Sequence, residues 1–454
     1  MTKTKSSFVC QACGAVFPKW YGKCPQCGTW NSIIEETTIV SSKNSSSFPA
    51  AAIYPIEELT SEDSERIVFS YHEFNRVLGG GLVPGSFILL GGEPGIGKST
   101  LLLQIALHHP SLKCLYVSGE ESLSQLKMRS ERIGITTHQT FISNETNTDQ
   151  IIKAAKELQP NLLIIDSIQT VYSPKIEAFV GSPSQIRQCA SEFQRLAKEN
   201  HISVFLIGHI TKDGFIAGPK LLEHMVDVVL QFEGDEHYGY RILRTLKNRF
   251  GPTHELGIFE MASNGLREIS NPSEALLANR TMNLSGTAVA ATIQGIRPLL
   301  IEVQALVSST TYGNPQRTST GFDHRRLNML LAILEKRLGL KMGMQDVFLN
   351  ITGGLRIDDP ALDLGVMCAL ISSYFDISLP SQTCFAGEVG LAGEVRPVDR
   401  IEQRVAEAAR IGFKQIFIPY PNAKNLDSKL FINIEIIPVE HIKQVWQTLQ
   451  TQAP

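Results

Sequence analysis

The chain has 454 residues, enough for two or three domains, and 43% of them are hydrophobic, so it can bury a large core. Its formal net charge of −3 and its sequence pI of about 6.4 exclude a globally basic protein, so that any nucleic-acid site must be a local patch. No run of about 18 apolar residues predicts a membrane span, and the first residues lack the apolar segment of a secretory signal, so we expect a cytoplasmic protein with reduced cysteines.

Four cysteines near the N-terminus have the spacing of a metal site, C-x2-C-x10-C-x2-C. They are Cys10, Cys13, Cys24 and Cys27. Two tight turns would each present two thiolates, which is the ligand set of a closed, structural zinc site. Disulfide bonds are the alternative, and the expected reducing compartment argues against them. Because about 35 residues bury too little surface to fold alone, we expect a C4 zinc finger at residues 1–36 that folds around its metal.

Three aromatic residues of the finger, Trp20, Tyr21 and Trp30, either pack the finger or present a face to a partner. The sequence alone does not choose between these two roles. After the finger, a serine-rich stretch with few charges predicts a linker over residues 37–65.

Residues 92–99 read G-E-P-G-I-G-K-S, a complete GxxxxGK[ST] phosphate-binding loop. An apolar run at 87–90 precedes it and a helical pattern at 100–107 follows, which is the strand–loop–helix context that the motif requires. Glycines let backbone N–H groups face phosphate oxygens, Lys98 would neutralise the β- and γ-phosphates, and Ser99 would hold Mg²⁺. ATP and Mg²⁺ are therefore the expected ligands. The expected nucleotide-binding residues are Gly92, Glu93, Pro94, Gly95, Ile96, Gly97, Lys98, Ser99 and Thr100.

Two further apolar runs end in carboxylates suited to nucleotide hydrolysis. The strand at 162–166 ends in Asp166, which would hold Mg²⁺ opposite Ser99 or would merely cap a turn. The run at 115–121 ends in two acids, and one of them, in our interpretation Glu120 rather than Glu121, would orient the attacking water as general base. A helix N-terminus that favours acids is the alternative explanation of this pair.

A fourth strand, predicted at 204–208, ends in His209 and Thr211. These side chains would either sense the γ-phosphate or have a structural role. The loop that follows, with Lys212, Lys220 and His224 around G-F-I-A-G-P-K, suits a mobile segment that tracks a nucleic-acid backbone without reading its bases.

The strand predicted at 241–247 closes with the basic run K-N-R-F-G, formed by Lys247, Asn248, Arg249, Phe250 and Gly251. Lys247 and Arg249 are two residues apart, so that on a strand both side chains point the same way. Two cations at a subunit edge would bind a DNA phosphate or reach a neighbour's γ-phosphate as an arginine finger. A solvated basic turn is the third alternative.

Two regions of different pattern follow the finger. Residues 66–270 alternate helices with short, apolar, β-branched strands, which predicts a parallel sheet covered on both faces. After a junction at 271–286, residues 287–454 predict a mixed α+β domain without a second phosphate loop. Its predicted elements are strands at 289–293, 299–307, 347–351 and 415–419, helices at 327–338, 362–374 and 401–411, and a hairpin at 385–398.

With these motifs placed, the chain resembles the RadA (Sms) family of bacterial DNA-repair ATPases, in which a C4 finger, a phosphate loop, K-N-R-F-G and a Lon-protease-like domain occur in this order. The resemblance implies an α/β fold with a RecA-like P-loop ATPase core and a C-terminal domain similar to ribosomal S5 domain 2. It also implies a DNA-dependent ATPase that forms a ring, expected to be hexameric, on single-stranded and branched DNA. That motor would promote branch migration together with the RecA recombinase.

The C-terminal domain departs from Lon proteases at the catalytic positions. Ala361 stands where that family has the serine of P-S-A-G, and Glu402 stands where it has the lysine of G-G-L-K-E-K. An alanine offers no nucleophile and a glutamate cannot activate one as an amine does, so we expect a scaffold without protease activity. Its basic residues would add a DNA-facing patch or form an ordinary solvated surface; they are Arg317, Arg325, Arg326 and Arg356.

Two other functions are compatible with the sequence. A RecA-like recombinase would form filaments rather than rings. An ATP-dependent switch directed at protein partners would hydrolyse ATP at a rate that is indifferent to DNA.

Overall fold

The computed structural model describes residues 3–10, 15–26, 28–30, 32–40, 65–209, 220–234, 240–253, 255–278, 280, 284–310, 313–427 and 431–452. The chain divides into two compact units, residues 1–234 with 241–268, and residues 235–240 with 269–454. No helix within the described ranges combines the length and apolar content that crossing a membrane requires.

The N-terminal segment forms a three-stranded antiparallel sheet. Its strands are β1 (Lys3–Cys10), β2 (Val16–Phe17) and β3 (Ile33–Val40), in the order β2-β1-β3. Pairing of β1 with β3 runs from Lys3 opposite Val40 to Cys10 opposite Ile33, so the sheet extends into the segment expected to be a linker. Residues 37–40 read T-T-I-V, and four β-branched residues favour extended backbone.

The next region is a nine-stranded sheet. Its strands are β4 (Phe87–Gly92), β5 (Cys114–Ser118), β6 (Thr140–Ser143), β7 (Leu162–Asp166), β8 (Ser203–His209), β9 (Val228–Gly234), β10 (Tyr240–Asn248), β11 (Leu256–Ala262) and β12 (Gly265–Glu268). The strand order is β12-β11-β10-β9-β4-β8-β7-β5-β6, and the strands from β9 to β6 in this order pair in parallel. The added strand β10 runs antiparallel to β9, and β12 runs antiparallel to β11.

Helices cover both faces of this sheet. They are α1 (His72–Val77), α2 (Lys98–His108), α3 (Leu123–Ile133), α4 (Thr148–Leu158), α5 (Pro183–Asn200) and α6 (Lys220–Met225). The central strand β4 divides its side chains between two cores. Ile88 and Leu90 pack with α1 and α2, whereas Phe87 and Leu89 pack with α4 and α5, and all four are at most 1% exposed. Burial on both faces explains why this strand is uniformly apolar.

The C-terminal unit is built around a seven-stranded mixed sheet. Its helices are α7 (Pro272–Leu277), α8 (His324–Ile333), α9 (Asp363–Phe375), α10 (Ile401–Ile411), α11 (Tyr420–Asn425) and α12 (Ile442–Gln452). Its strands are β13 (Thr287–Gln294), β14 (Arg297–Ser309), β15 (Arg317–Thr320), β16 (Gln345–Ile351), β17 (Thr383–Phe385), β18 (Glu388–Val389), β19 (Val395–Arg396), β20 (Gln415–Pro419) and β21 (Glu435–Val439). The sheet order is β15-β16-β14-β13-β17-β20-β21, and β18 pairs with β19 separately.

The junction expected at 271–286 differs from the structure in one respect, because it contains α7. The Ser273 hydroxyl donates to Glu407 Oε1 at 2.5 Å and accepts from the Leu300 backbone N–H at 3.1 Å. Ser273 is fully buried. These contacts make α7 part of the C-terminal unit rather than a free connection.

Candidate active site

The phosphate-binding loop follows the C-terminal end of β4 and leads into α2. Gly97 is the N-cap of this eleven-residue helix, and its φ of 114° is a left-handed conformation that favours glycine. Gly92 has no room for a side chain, because a Cβ there would lie 2.7 Å from the Phe232 carbonyl oxygen. Residues 93–95 form the exposed tip of the loop. The unpaired N–H groups of a helix N-terminus behind a narrow glycine loop form a site for phosphate.

Lys98 points into this cradle. Its Nζ donates to the carbonyl oxygens of Gly92 and Glu93, each at 2.8 Å. Burial lowers the pKa of Lys98 to about 8, while the carboxylates of Asp166 and Glu120 oppose the shift. The loop therefore holds the ammonium where the β- and γ-phosphates are expected.

Asp166 ends β7 next to the loop, and it is 2% exposed. The Tyr116 hydroxyl donates to Asp166 Oδ2 at 2.6 Å, whereas Oδ1 is buried and has no hydrogen bond of ordinary geometry among the described residues. Burial raises the pKa of Asp166, and the hydroxyls of Tyr116 and Ser99 oppose the rise. A buried carboxylate oxygen without a donor is costly, and a hard cation would satisfy it. Ser99 and Asp166 thus fit Mg²⁺, which when bound would neutralise charge between the β- and γ-phosphates.

Glu120 lies just beyond β5 and faces the same site. His209 Nε2 lies 2.9 Å from Glu120 Oε1, and the Ser167 hydroxyl donates to the same oxygen at 2.5 Å. The His209 hydrogen bond, which is the larger cause, and the Ser167 hydrogen bond lower the pKa of Glu120 to about 2, although burial alone would raise it. His209 Nδ1 is 3.4 Å from Lys98 Nζ, so a neutral imidazole would accept from the ammonium and donate to the carboxylate.

Glu121 has different partners. Its carboxylate forms an ion pair with Arg129 of α3, and its backbone N–H donates to the Ser118 hydroxyl at 3.1 Å. The structure therefore brings Glu120 to Lys98 and His209 and directs Glu121 to a helix.

Sequence analysis missed two side chains of this site. Ser167 directly follows Asp166, the expected metal ligand, and this position in the sequence could have marked it as a site residue. Tyr116 lies in the middle of an apolar strand, where only the pairing of β5 with β7 shows that its hydroxyl reaches Asp166.

The K-N-R-F-G segment lies at the other end of the parallel strands. Asn248 is paired with Val228, and Val228 is also paired with Ile88, near the beginning of β4. The phosphate-binding loop begins at Gly92, about 13 Å further along the same strand at about 3.3 Å per residue. Lys247 to Gly251 are therefore remote from the phosphate loop of their own chain.

Both cations of K-N-R-F-G are held next to Asp227, a residue that is 2% exposed. Arg249 Nη1 lies 3.3 Å from Asp227 Oδ1, and Lys198 Nζ lies 2.6 Å from Oδ2. Lys247 Nζ donates to the carbonyl oxygens of Glu223 at 2.6 Å and Val226 at 2.9 Å, at the end of α6. The Arg249 side chain is still 57% exposed, so it can reach a further partner.

Phe250 and Gly251 form the turn that follows. Arg66 Nη2 donates to the Phe250 carbonyl oxygen at 2.7 Å, and a Cβ on Gly251 would lie 3.0 Å from Gly79 Cα. The Asn248 side chain accepts from the Phe250 N–H at 2.9 Å. These contacts fix the backbone of the segment while its cations stay at the surface.

Several expected site residues lie outside the described residues. They are Cys13, Cys27, Thr211 and Lys212. Lys220 begins α6, and His224 is exposed on that helix. Cys10 and Cys24 are buried and make corresponding hydrogen bonds: the Cys10 N–H donates to the Ala15 carbonyl and the Cys24 N–H to the Thr29 carbonyl, both at 2.9 Å. Two buried cysteines in corresponding backbone positions fit thiolate ligands of a zinc ion.

A structural ion pair lies two residues in sequence from each of the Lon-type catalytic positions. Ala361 is fully buried and follows Asp359, whose Oδ2 lies 2.6 Å from Arg404 Nη1. Arg404 also donates to the Ala291 carbonyl at 2.8 Å, and it holds the pKa of Asp359 below its usual value against burial. Glu402 is exposed on the first turn of α10.

The four arginines expected as a basic patch have unequal surroundings. Arg326 forms ion pairs with Asp363 and Glu388, so its charge is largely neutralised. Arg317 donates to the Asn328 side chain at 3.2 Å. Arg325 is exposed, and Arg356 lies 3.6 Å from Asp358. Arg326 therefore has a structural role that its sequence context did not indicate.

Three family models match the chain in succession. A rubredoxin metal binding domain matches residues 8–35, an AAA domain matches residues 55–214, and the subunit ChlI of Mg-chelatase matches residues 309–422. With the site above, these matches make the chain an ATP hydrolase with ATP and Mg²⁺ as cofactors and with zinc in its N-terminal ribbon. The expected α/β fold, with a ribbon before it and a ChlI- or Lon-like domain after it, is confirmed.

Curated relatives are similar to the chain over nearly its whole length. DNA repair protein RadA of Halalkalibacterium halodurans is 50% identical over 93% of this chain and 94% of its own. The proteins of that name from Bacillus subtilis and Listeria monocytogenes are each 48% identical, covering 99% and 97% of this chain and the same shares of their own. A KaiC-like protein from Pyrococcus horikoshii OT3 has a TM-score of 0.37 at 18% identity, covering 45% of this chain and 99% of its own. On the identity and coverage of the curated relatives, the chain belongs to the family of DNA repair protein RadA.

Proposed function

We propose that this protein is a DNA-stimulated ATPase that acts as a ring-shaped motor on single-stranded and branched DNA during recombinational repair. The observation that carries the proposal is the separation of two parts of the site. The phosphate loop, Glu120 and Asp166 lie at one end of the parallel strands, and Lys247 and Arg249 lie at the other. In this proposal, each chain supplies the phosphate loop of one hydrolysis site from one end of these strands. From the other end it supplies the cations of a second site, whose phosphate loop belongs to a neighbouring chain.

Within one chain, we assign each residue a role that its contacts support. Lys98 binds the β- and γ-phosphates, and Ser99 and Asp166 hold the metal. A carboxylate whose pKa is about 2 takes up a proton poorly, so Glu120 orients the attacking water and accepts its hydrogen bond. His209 lies between Lys98 and Glu120. When the Lys98 ammonium moves from the loop carbonyls to a phosphate, His209 would lose or change its contact with Lys98.

Arg249 and Lys247 serve the nucleotide of the next subunit in this proposal. An arginine finger supplied in trans stabilises the charge that develops on the transferred phosphoryl group. The interface that joins one edge to the opposite edge of the next copy is heterologous, and such interfaces close into rings when the rotation permits. Because the phosphate loop of its own chain is out of reach, a contact of Arg249 with nucleotide would have to be with a neighbour's nucleotide.

Subunit mixing tests this arrangement. Lys98→Ala chains bind no nucleotide but keep Arg249, whereas Arg249→Ala chains keep the phosphate loop but lack the finger. Each variant alone should be inactive in ATP hydrolysis. An equal mixture should recover up to about one quarter of the wild-type rate, because that share of sites pairs an intact loop with an intact finger.

The control is a mixture of Lys98→Ala chains with chains that carry both substitutions, which contains no complete site and should stay inactive. No recovery in the first mixture, with oligomers of mixed composition present, would contradict action in trans. Full activity of Arg249→Ala alone would contradict any role of this residue in hydrolysis.

The DNA and partner parts of the proposal rest on family membership and on the resemblance. The relatives are named DNA repair proteins, and the resemblance implies branch migration with the RecA recombinase. Electron micrographs on single-stranded DNA separate two forms: closed rings, expected to be hexameric, support the motor, whereas continuous filaments favour a RecA-like recombinase.

A further inference from the structure

Two of the three tryptophans of the chain are exposed on the N-terminal ribbon. Trp20 is 56% exposed and Trp30 is 68% exposed. Gly22 lies between them, because a Cβ built there would be 3.5 Å from Trp20 Cη2 and 4.0 Å from Trp30 Cζ3. The two indoles therefore lie on either side of Gly22, which has no side chain to cover them.

The ribbon positions the Trp20 ring and the Trp30 backbone. Trp20 Nε1 donates to the Ile33 carbonyl oxygen at 2.9 Å, which ties the indole to the start of β3. The backbone of Trp30 forms an isolated antiparallel bridge with that of Lys23. Large aromatic side chains left in water are unusual in a small domain, where apolar surface is needed for the core.

Cations accompany these aromatic rings. Lys23 Nζ lies 5.6 Å from the centre of the Trp30 ring, and Lys19 Nζ lies 5.4 Å from the centre of the Tyr21 ring. Residues 1–40, which form the three strands of the ribbon, contain four lysines and two glutamates, a formal net charge of 4 − 2 = +2. The whole chain has a formal net charge of −3, so the ribbon is a mildly basic part of an acidic protein.

We propose that Trp20, Trp30, Lys19 and Lys23 form a stacking surface for single-stranded DNA on the ribbon. This inference rests on the proposed function, because it assigns a second contact to the same substrate. Bases stack on indole rings whatever their sequence, and lysines beside the rings pair with the phosphates between successive bases. The charge of the ribbon selects a polyanion over an acidic or neutral apolar partner.

Tryptophan fluorescence of the full chain tests the surface, with a poly-dT oligonucleotide as the probe. The third tryptophan, Trp446, stacks on Phe375 at 4.7 Å between ring centres, in the C-terminal unit. A Trp446→Phe variant emits only from the ribbon, and its fluorescence should be quenched by the oligonucleotide. A Trp20→Phe/Trp30→Phe variant emits only from Trp446 and should show no quenching.

Affinity provides an independent measurement. Trp30→Ala should bind poly-dT about tenfold more weakly, whereas Trp30→Phe and Trp446→Phe should stay near wild type because a ring remains or the change lies elsewhere. The double variant Lys19→Ala/Lys23→Ala should make the plot of log K for DNA binding against log salt concentration less steep. The slope should decrease in magnitude by about 1.4, because two phosphate contacts to a single strand are lost. Zinc content per chain, unchanged in every variant, shows that the ribbon is still folded.

The outcomes separate this inference from the proposed function, since ATP hydrolysis by wild type is measured with the same oligonucleotide. Hydrolysis that the oligonucleotide stimulates without quenching the ribbon fluorescence would overturn the stacking surface. So would stimulated hydrolysis with an unchanged affinity of Trp30→Ala for poly-dT. Either result would leave the proposed motor intact and would favour a protein partner for this face. If the oligonucleotide neither stimulates hydrolysis nor changes fluorescence, both proposals fail.

Discussion

Glu120 and Glu121 are neighbours in the chain, and the structure gives them separate partners. Glu120 is bound by His209 and Ser167 within reach of Lys98, whereas Glu121 forms an ion pair with Arg129. A sequence pattern that only places two acids after a strand cannot distinguish them. The choice depends on which side chains neighbouring strands bring to that edge.

Glu120→Gln should lower kcat for ATP hydrolysis by about 10² to 10³, because an amide cannot orient the attacking water as a carboxylate does. ATP binding, measured by equilibrium titration, should be retained. Glu121→Gln is the matched control, and it should keep most of its activity. The opposite ranking of the two variants would assign the water-orienting role to Glu121.

The Ser167 hydroxyl should contribute to how the site responds to acid. The pKa of Glu120, about 2, lies below the ordinary value of 4.5, so its contribution to stability is complete above the ordinary pKa and is lost as pH falls toward about 2. Ser167→Ala removes the weaker of the two hydrogen bonds that lower this pKa. The acid limb of the pH profile of kcat/KM, which reports ionisations of the free enzyme, should therefore move to higher pH.

Ser122→Ala is the control for that experiment, because Ser122 caps α3 beside the same loop and does not bind Glu120. Its pH profile should match that of wild type. An unmoved acid limb in Ser167→Ala would mean that His209 alone sets the ionisation of Glu120.

Among the elements, the K-N-R-F-G segment depends most on its anchoring. Asp227 accepts from Lys198, from Arg249 and, at 3.0 Å, from the backbone N–H of Phe87 at the start of β4. One buried carboxylate therefore connects the basic segment to the strand that carries the phosphate loop. A movement of the segment can thus be transmitted to β4.

Asp227→Ala should lower the free energy of unfolding of the ATPase unit by about 2 to 4 kcal/mol, because it leaves a buried N–H unsatisfied and removes a charge-assisted network. Arg249→Ala is the matched control and should cost at most about 1 kcal/mol, since its side chain is half exposed. Urea unfolding of both variants checks this. Equal losses would show that the ion pair, rather than the buried carboxylate, stabilises the unit.

Sequence analysis located most single elements, and it failed where pairing between distant segments decides the structure. The apolar runs at 162–166 and 415–419 and the helix at 401–411 have the expected bounds. The hairpin expected at 385–398 is present but shorter, as the antiparallel pairing of β18 with β19, because Phe385 belongs to β17, which pairs in parallel with β13 and β20. Those partners are remote in sequence, so local pattern cannot reveal them.

The helix expected at 327–338 shows a different kind of deviation. Regular α-helix ends at Ile333, and residues 334–338 continue as a π-helical turn up to Gly339, which has a φ of 74°. Apolar spacing predicts the buried face of such a segment, and it does not distinguish the two hydrogen-bond patterns.

At the scale of the whole molecule, the ribbon and the ATPase region have separate cores. Cys10, Cys24 and Ile33 form the small cluster of the ribbon, with Phe17 and Tyr21 packed against it. So little apolar surface cannot stabilise a fold without a metal. The ATPase region has two large apolar clusters of its own.

Cys24→Ser should therefore abolish zinc binding and unfold the ribbon, while the ATPase unit keeps its unfolding midpoint. Zinc content and urea unfolding followed by circular dichroism measure the two effects separately. Glu35→Gln, a polar change at an exposed position of β3 that removes no ligand, is the control. A collapse of the whole chain in Cys24→Ser would contradict separate cores.

Steady-state ATP hydrolysis, measured with and without single-stranded DNA at two salt concentrations, shows whether DNA contact is linked to hydrolysis. We expect DNA to stimulate hydrolysis and the stimulation to weaken as salt rises, because phosphate contacts release counterions. Hydrolysis that is unchanged by DNA at both salt concentrations would refute this link and favour an ATP-dependent switch directed at proteins.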